Sequence, residues 1–386
     1  MEPSRASPAA LDGIVVVDLT RAVSGPFCTM MLADLGARVI KIEEPGSGDE
    51  TRNWGPPFVD GESTYFLGVN RGKESVTLDL KDERDRAVLG RLASRADVLI
   101  ENFRPGVADR LGAGYRSLSA ANPRLVYVSI SGFGQSGPHR DRPGYDLIVQ
   151  ALSGFMRVSS TPGGAPVKAG FPVADILAGL FAGQAILAAL YRREQTGRGD
   201  WIDISLLESM LAAMNAATSW CLLTGEEPAA MGVGQSNIAP YQIFQCQDQP
   251  IVIGVPNQRL WRRFSAALER PDWTADERYL DNAARNRNRS SLVAEIEKTL
   301  LRQPAAHWLG VLEQHEVPCA PIQQISEILR HPQVAARDVI VAVDHAGLGP
   351  IRLVGNPMRF AGFQPAYRPP PRLGEHTAAV REEFAE

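Results

Sequence analysis

Cysteine and histidine are scarce in this chain. Its 386 residues hold 4 cysteines and 6 histidines. Cys28, Cys221, Cys246 and Cys319 stand far apart with no CxxC spacing, which argues against a disulfide framework or a zinc knuckle and fits a reducing cytosol. The Asn-Arg-Ser at 288–290 then matches the glycosylation pattern by chance. No HExxH and no histidine pair at helical spacing occurs, so no metal site is expected. Charge of one sign is also missing. Lys and Arg number 40 against 44 Asp and Glu, a formal net charge of −4. No global positive field is available to hold nucleic acid or an anionic membrane. Long apolar runs are absent too. The longest, 176–191, is uncharged but interrupted by Gln184 and two glycines, and a spanning helix needs about 20 mostly apolar residues. The N-terminal MEPSRASPAALDG has no apolar signal core. These absences predict a cytoplasmic protein with no membrane partner. Internal repeats, low-complexity tracts, a P-loop and a G-x-S-x-G elbow are likewise missing.

What is present is the composition of an ordinary globular chain, 44% hydrophobic and 22% charged. Its length exceeds one typical domain. Strand signals at 14–20, 37–43, 75–80, 96–103 and 125–130 alternate with helix-like stretches such as 27–35 and 82–95. Near-continuous apolar strands between helices predict an α/β fold, a Rossmann-like parallel sheet covered on both faces. A long helical stretch then runs to Arg193. A strand is expected at 201–205 and one further helix at 206–223. The character changes near Gly225. A hairpin over 242–255 and three helices around 258–269, 291–302 and 304–315 predict a smaller α+β domain. The expected division is a large domain over 1–224, a small domain over 225–325, and a C-terminal segment, 326–386, returning to the large domain. The cluster Arg285, Arg287 and Arg289 reads as a solvated loop.

Two features compete for the chemistry. Gly132, Gly134 and Gly137 form a G-x-G-x-x-G string after a strand. Pro138 follows, so no helix opens to receive a pyrophosphate, and dinucleotide binding is not expected. Asp175 lies in GFPVADILAGLFAG, where an extended approach meets a small-residue helix. Its plain reading is an N-cap that accepts the first helix amides. The functional reading is compatible with that: a carboxylate there stays ionised, and an ionised Asp in a pocket can be a covalent nucleophile. Gly179 and Gly183 leave one face of the helix bare for close approach of backbone or ligand.

Ten blocks in order carry a resemblance that runs over about residues 11–380. They are LDGIVVVDLTRAVSGP, LADLGARVIKIEEPGSGDETR, STYFLGVNRGKESVTLDL, ADVLIENFRPG, VSISGFGQSGP, RPGYDLIVQALSG, VADILAGL, TGRGDWIDISLLES, VPCAPI and PPPRLGEHT. Together they resemble the class III CoA-transferase family, and within it the succinyl-CoA:dicarboxylate transferases of the glutarate type. The resemblance implies a Rossmann-like large domain, a small domain and a homodimer whose chains interlock like two links. It implies Asp175 as nucleophile, with CoA contacts near Ala22, Val23, Leu78, Lys81, Asn102, Phe103, Val107, Arg110 and Arg142. Coenzyme A enters as a thioester substrate, with no tightly bound cofactor.

Two departures stand out. Glu44 in KIEEPG occupies a place where the family commonly has a basic residue. Tyr145 in GYD replaces the histidine of the 2-methylacyl-CoA racemase branch. A racemase needs two acid/base groups about the α-carbon, and tyrosine, with a pKa of about 10, is a poor one. Transfer is therefore expected over epimerisation. A dicarboxylate acceptor needs a cation for its far end, and Arg21 and Arg52 are the candidates. Trp54 is read as a wall of the acyl pocket or as a packed core residue. Gly232, Gly234 and Gln235, in MGVGQS, offer main-chain amides for oxyanions or form a plain flexible loop.

Overall fold

The computed structural model describes residues 8–230 and 232–385. The first seven residues of the N-terminal stretch, and Met231 of the glycine segment, lie outside the described residues. The chain forms two compact units. The first comprises Met1–Phe155, Ala169–Asn215 and Pro332–Glu386, the second Met156–Lys168 and Ala216–His331.

Six β-branched runs build the sheet of the first unit: β1 (Val15–Asp18), β2 (Arg38–Glu43), β3 (Lys73–Thr77), β4 (Val98–Glu101), β5 (Val126–Ser131) and β6 (Trp201–Ser205). All pairs are parallel, in the order β3-β2-β1-β4-β5-β6. Successive side chains point to opposite faces, and both faces are covered. Val16, Val39, Val98, Ile100 and Val128 join one core, and Val17, Ile40, Val76 and Leu99 the other. Full burial of each such side chain is worth roughly 1.5–3 kcal/mol, so the sheet rests on these residues. The third strand begins and ends a few residues earlier than the predicted 75–80.

The order of strands reverses between β1 and β4. Loops leaving the carboxyl ends of these two strands diverge, and in open α/β sheets a crevice forms there. One helix among the described residues, Val173–Thr196, is long and apolar enough to cross a membrane. Its small residues instead face the core, with Ala174, Ala178, Ala182 and Ile186 all buried. Gly179 is required by that packing: a Cβ there would stand 2.5 Å from the Ser24 carbonyl oxygen of the helix Ser24–Asp34. Leu180, Phe181, Leu187 and Tyr191 remain exposed.

The predicted single helix over 206–223 is two, Leu206–Ala213 and Asn215–Thr224, interrupted at Met214. The chain returns to the first unit with 332–386. There the His376 amide donates to the Ser75 carbonyl and the Thr377 hydroxyl accepts the Thr77 amide, closing the edge beside β3.

The second unit has its own core. Three antiparallel strands, Tyr241–Gln245, Pro250–Gly254 and Cys319–Pro321, pack with Trp261, Phe264, Trp273 and Tyr279. Of the arginine cluster, Arg287 is exposed, but Arg285 and Arg289 are not solvated. Arg285 is buried, donates to the carbonyls of Ala239 and Tyr279, and stacks 4.7 Å from the Trp261 ring centroid. Arg289 donates to the carbonyls of Gln235, Ser236 and Ile238. Carbonyls turned inward by a tight loop need donors, and these two arginines supply them.

Candidate active site

The site grows from the loop that leaves β1. Asp18, at the end of that strand, is fully buried beneath it. It accepts from the Thr20 amide at 2.9 Å, the Thr29 hydroxyl at 2.6 Å and Lys73 Nζ at 3.1 Å. Burial pushes its carboxyl up, but Lys73, Lys41 and the hydroxyls outweigh burial and hold it at about 2. Beside it Lys41 Nζ donates to the Thr20 carbonyl and to Asp49, each at 2.8 Å. The other Asp49 oxygen accepts the Ala22 amide at 3.2 Å. Ala22 has φ +62°, a left-handed backbone that costs a non-glycine residue roughly 1 kcal/mol or more. The buried charges beneath hold it there. Asn102, just past β4, closes the other side: its Oδ1 accepts the Arg21 amide at 2.9 Å and its Nδ2 donates to the Arg21 carbonyl at 2.8 Å.

Two residues on from Ala22, Ser24 opens a helix and reaches the carboxyl of Asp175 with its hydroxyl. Asp175 is not the N-cap that its position in the sequence suggested. It is the third residue of the helix Val173–Thr196, whose cap residue is Pro172. The amides of Ala174 and Asp175 instead donate to Asp146 Oδ1, at 2.8 and 3.4 Å. Asp146 comes from another helix, Asp146–Leu152, and its second oxygen accepts Gln150 Nε2 at 2.5 Å. Asp175 is also not held ionised as expected. Burial, then the neighbouring Asp146 charge, lifts its carboxyl to about 7, against the opposing Ser24 hydrogen bond.

Sequence reasoning passed over two of these groups. Asp146 reads as an ordinary helix-start acid, and nothing local says that it serves a different helix. Tyr65 lies in the helix Thr64–Val69, capped by Ser63. Its phenol is raised by burial and by the charges of Asp175 and Asp146, which places it beside both. Trp54 packs edge-on to Tyr65 at 5.2 Å between centroids and is 37% exposed, so it is not a core tryptophan.

The structure brings Arg21, Ala22, Val23, Asn102 and Phe103 to the ends of the adjacent strands β1 and β4. The Arg21 guanidinium lies 5.5 Å from the Phe103 ring centroid. Val107 and Arg110 bound the short helix after β4, and Arg110 is exposed. Leu78 is buried and donates its amide to the Glu43 carbonyl. Lys81 is exposed and pairs with Glu44 at 3.6 Å, so the departure at Glu44 acts on this lysine directly. Arg142 is exposed on the loop 132–145, with its amide on the His139 carbonyl.

Arg52 does not fit the clamp role. Its Nε and Nη2 close on the two carboxylate oxygens of buried Glu43 at 2.7 and 2.8 Å, and its guanidinium stacks 3.7 Å from the Phe66 ring centroid. With one edge on Glu43 and its face on Phe66, the guanidinium is committed to the fold. In the glycine segment the oxyanion reading loses two of its amides. The amides of Gly232 and Gln235 already donate to the carbonyls of Ser160 and Tyr241. A Cβ would stand 2.6 Å from the Ser159 carbonyl oxygen at Gly232, and 2.6 Å from Gln242 Cβ at Gly234. Close packing, not looseness, asks for glycine at both. In the G-x-G-x-x-G string Gly132 crosses Gly144 at backbone distance, and the next helix waits until Asp146.

The family model described as CoA-transferase family III matches residues 11–377. The chain is 45% identical to an acetyl-CoA:oxalate CoA-transferase of Acetobacter aceti, over 97% of this chain and 95% of that one. It is 38% identical to a succinyl-CoA:glutarate CoA-transferase of Mus musculus, over 97% and 86%. Among solved structures it is similar to a CAIB/BAIF family protein from Brucella suis, with a TM-score of 0.86 and 38% identity, covering 98% of this chain and all of that one.

Proposed function

The chain belongs to CoA-transferase family III and is an enzyme that transfers CoA, and from that premise we propose that it moves CoA from an acyl-CoA, succinyl-CoA first among donors, to a short free dicarboxylate. The observation that carries the reading is the half-buried Asp175 carboxyl, set between the Ser24 hydroxyl and the Asp146 carboxylate and lifted to about 7. The names of the relatives support a dicarboxylate acceptor at both ends of a size range, oxalate and glutarate.

The chemistry proposed for Asp175 is nucleophilic. Its ionised carboxylate attacks the thioester carbonyl, the C–S bond breaks, and an aspartyl anhydride and CoA thiolate result. The thiolate attacks the aspartyl carbonyl, giving an aspartyl-CoA thioester and releasing the donor acid. The acceptor carboxylate then attacks that thioester, and the thiolate returns to the new acyl group and frees Asp175. No net proton is consumed, and water must be kept out because hydrolysis would lose the thioester. The Ser24 hydroxyl favours the ionised form; Asp146 opposes it, and so makes the carboxylate the stronger base and nucleophile once formed.

On this reading the crevice between β1 and β4, in a Rossmann-like sheet, receives CoA along Ala22, Val23, Phe103, Val107 and Arg110, with Lys81 and Arg142 toward its phosphates. Arg21 takes the far carboxylate of the acceptor. Three residues span at most about 10 Å, so Arg21 stands within side-chain reach of a short diacid at Asp175. The exposed row Leu180, Phe181, Leu187 and Tyr191 supports a homodimer, interlocked as in the resemblance, which would cover it. The protein is placed in the cytoplasm on the same reading. The racemase alternative lacks a second base: Tyr145 stands where that branch has histidine, and it is 62% exposed.

A CoA-exchange panel tests the function. Succinyl-CoA and acetyl-CoA are each offered with oxalate, malonate, glutarate, mesaconate and acetate. Exchange with one or more of the diacids and little with acetate is expected. Exchange with no acid, together with deuterium uptake at the α-carbon of a 2-methylacyl-CoA, overturns the reading.

A further inference from the structure

Between β1 and β4 the backbone ladder ends at the Leu19 amide, which donates to the Ile100 carbonyl at 2.9 Å. The two chains must part beyond that point, because the strand order reverses there. Asn102 bridges the gap. Its side-chain amide offers an oxygen acceptor and an N–H donor on the same side, an arrangement that can pair with the N–H and C=O of a single residue. It uses them on the Arg21 carbonyl and the Arg21 amide, at 2.8 and 2.9 Å. The ladder is thus prolonged by one residue through a side chain. The residues on either side of Asn102 complete a bracket. The Phe103 amide is held by Glu101 at 2.8 Å, and the Phe103 ring lies 5.5 Å from the Arg21 guanidinium carbon, within cation–π reach.

We propose that Asn102 is a positioning residue for the acceptor: it fixes the turn that aims Arg21 and thereby sets preference for a dicarboxylate, instead of serving as a side-chain contact to CoA. This rests on the reading of Arg21 as the receiver of the far carboxylate. Both of its polar atoms are already committed to the Arg21 backbone, so a CoA contact would be left to its remaining N–H and lone pair. Removing it would leave the Arg21 backbone to solvent and let the guanidinium swing away from Phe103.

The test is a double-mutant cycle on the full-length enzyme with Asn102→Ala, Arg21→Met and the pair. KM and kcat are measured for the best diacid of the panel and for acetate, together with the inhibition constant of free CoA, which carries no acyl carboxylate. Two hydrogen bonds of ordinary strength imply that Asn102→Ala raises the diacid KM roughly tenfold. The inhibition constant of free CoA should stay within about twofold, and in the Arg21→Met background the same change should add less than about twofold. Asn102→Ser can keep one of the two bonds and should fall between; it carries the test if the alanine variant does not fold. A rise in the inhibition constant of free CoA as large as the rise in diacid KM, or the same factor in both backgrounds, overturns the proposal. A wild-type enzyme that exchanges CoA with no acid would instead overturn the functional reading, so the two failures are distinct.

Discussion

The carboxylate of Asp146 accepts the amide of Asp175 itself, at 3.4 Å, and that of Ala174, at 2.8 Å. One acid therefore caps the helix that carries another, and its charge faces the group it positions. The arrangement stabilises the helix end while raising the carboxyl of Asp175.

A pH dependence follows. Acylation needs the Asp175 carboxylate, and its pKa is about 7. The single-turnover rate should rise with pH through that value. Asp146→Asn keeps an oxygen for the helix amides and removes the charge, so the midpoint should move down by roughly one unit. An unchanged midpoint would show that Asp146 does not set this value.

The same shift predicts a trade between stability and chemistry. The folded pKa of Asp175 lies above the ordinary 3.8 of an aspartate. Between those values the folded state holds the proton more tightly than the unfolded chain. Stability is then lost as pH rises through the window, and the full penalty is present above about pH 7. Asp175→Asn removes it. Denaturant melts at pH 8 should show the variant more stable by about 2–4 kcal/mol, with a smaller gain at pH 5. A gain that does not depend on pH would contradict the assignment.

Glu44 tempers the charge of Lys81 at 3.6 Å. Both are exposed, so the pair itself adds little to stability. If Lys81 faces a CoA phosphate, Glu44→Gln should lower KM for the acyl-CoA by about two- to fivefold at low salt, fading as salt rises. Steady-state kinetics at two ionic strengths checks this, and an unchanged KM would place the phosphates elsewhere.

Arg52 and Glu43 form a buried bidentate pair, to which the Pro371 carbonyl adds an acceptor at 3.2 Å. Arg52→Met leaves the Glu43 charge without that partner and should cost about 3–5 kcal/mol. Among molecules that still fold, preference between diacid and monoacid should be unaltered. A stable variant with lost diacid preference would return Arg52 to the substrate.

The sheet was legible because its strands are buried on both faces and so read as runs of Val, Ile and Leu; the helix over Val173–Thr196 announced itself by its small residues. Side chains that act across elements were not legible. Nothing near Asp146 in the sequence tells that it caps a helix beginning some thirty residues later. Arg52 and Arg285 look like surface cations until the fold brings Glu43 to one and the Trp261 ring with inward carbonyls to the other. Residues 156–168 sit with the second unit, flanked on both sides by chain of the first, and no composition change marks that excursion. Tyr65 falls within the family-like block STYFLGVNR, yet its place beside Asp175 comes from the fold.

The central claim is a transient covalent bond to Asp175. Enzyme mixed with succinyl-CoA in a single turnover, quenched with hydroxylamine and digested, should carry a hydroxamate on the peptide holding Asp175, and Asp175→Ala should carry none and transfer no CoA. A hydroxamate on another residue, or CoA exchange by Asp175→Ala at the wild-type rate, would contradict it.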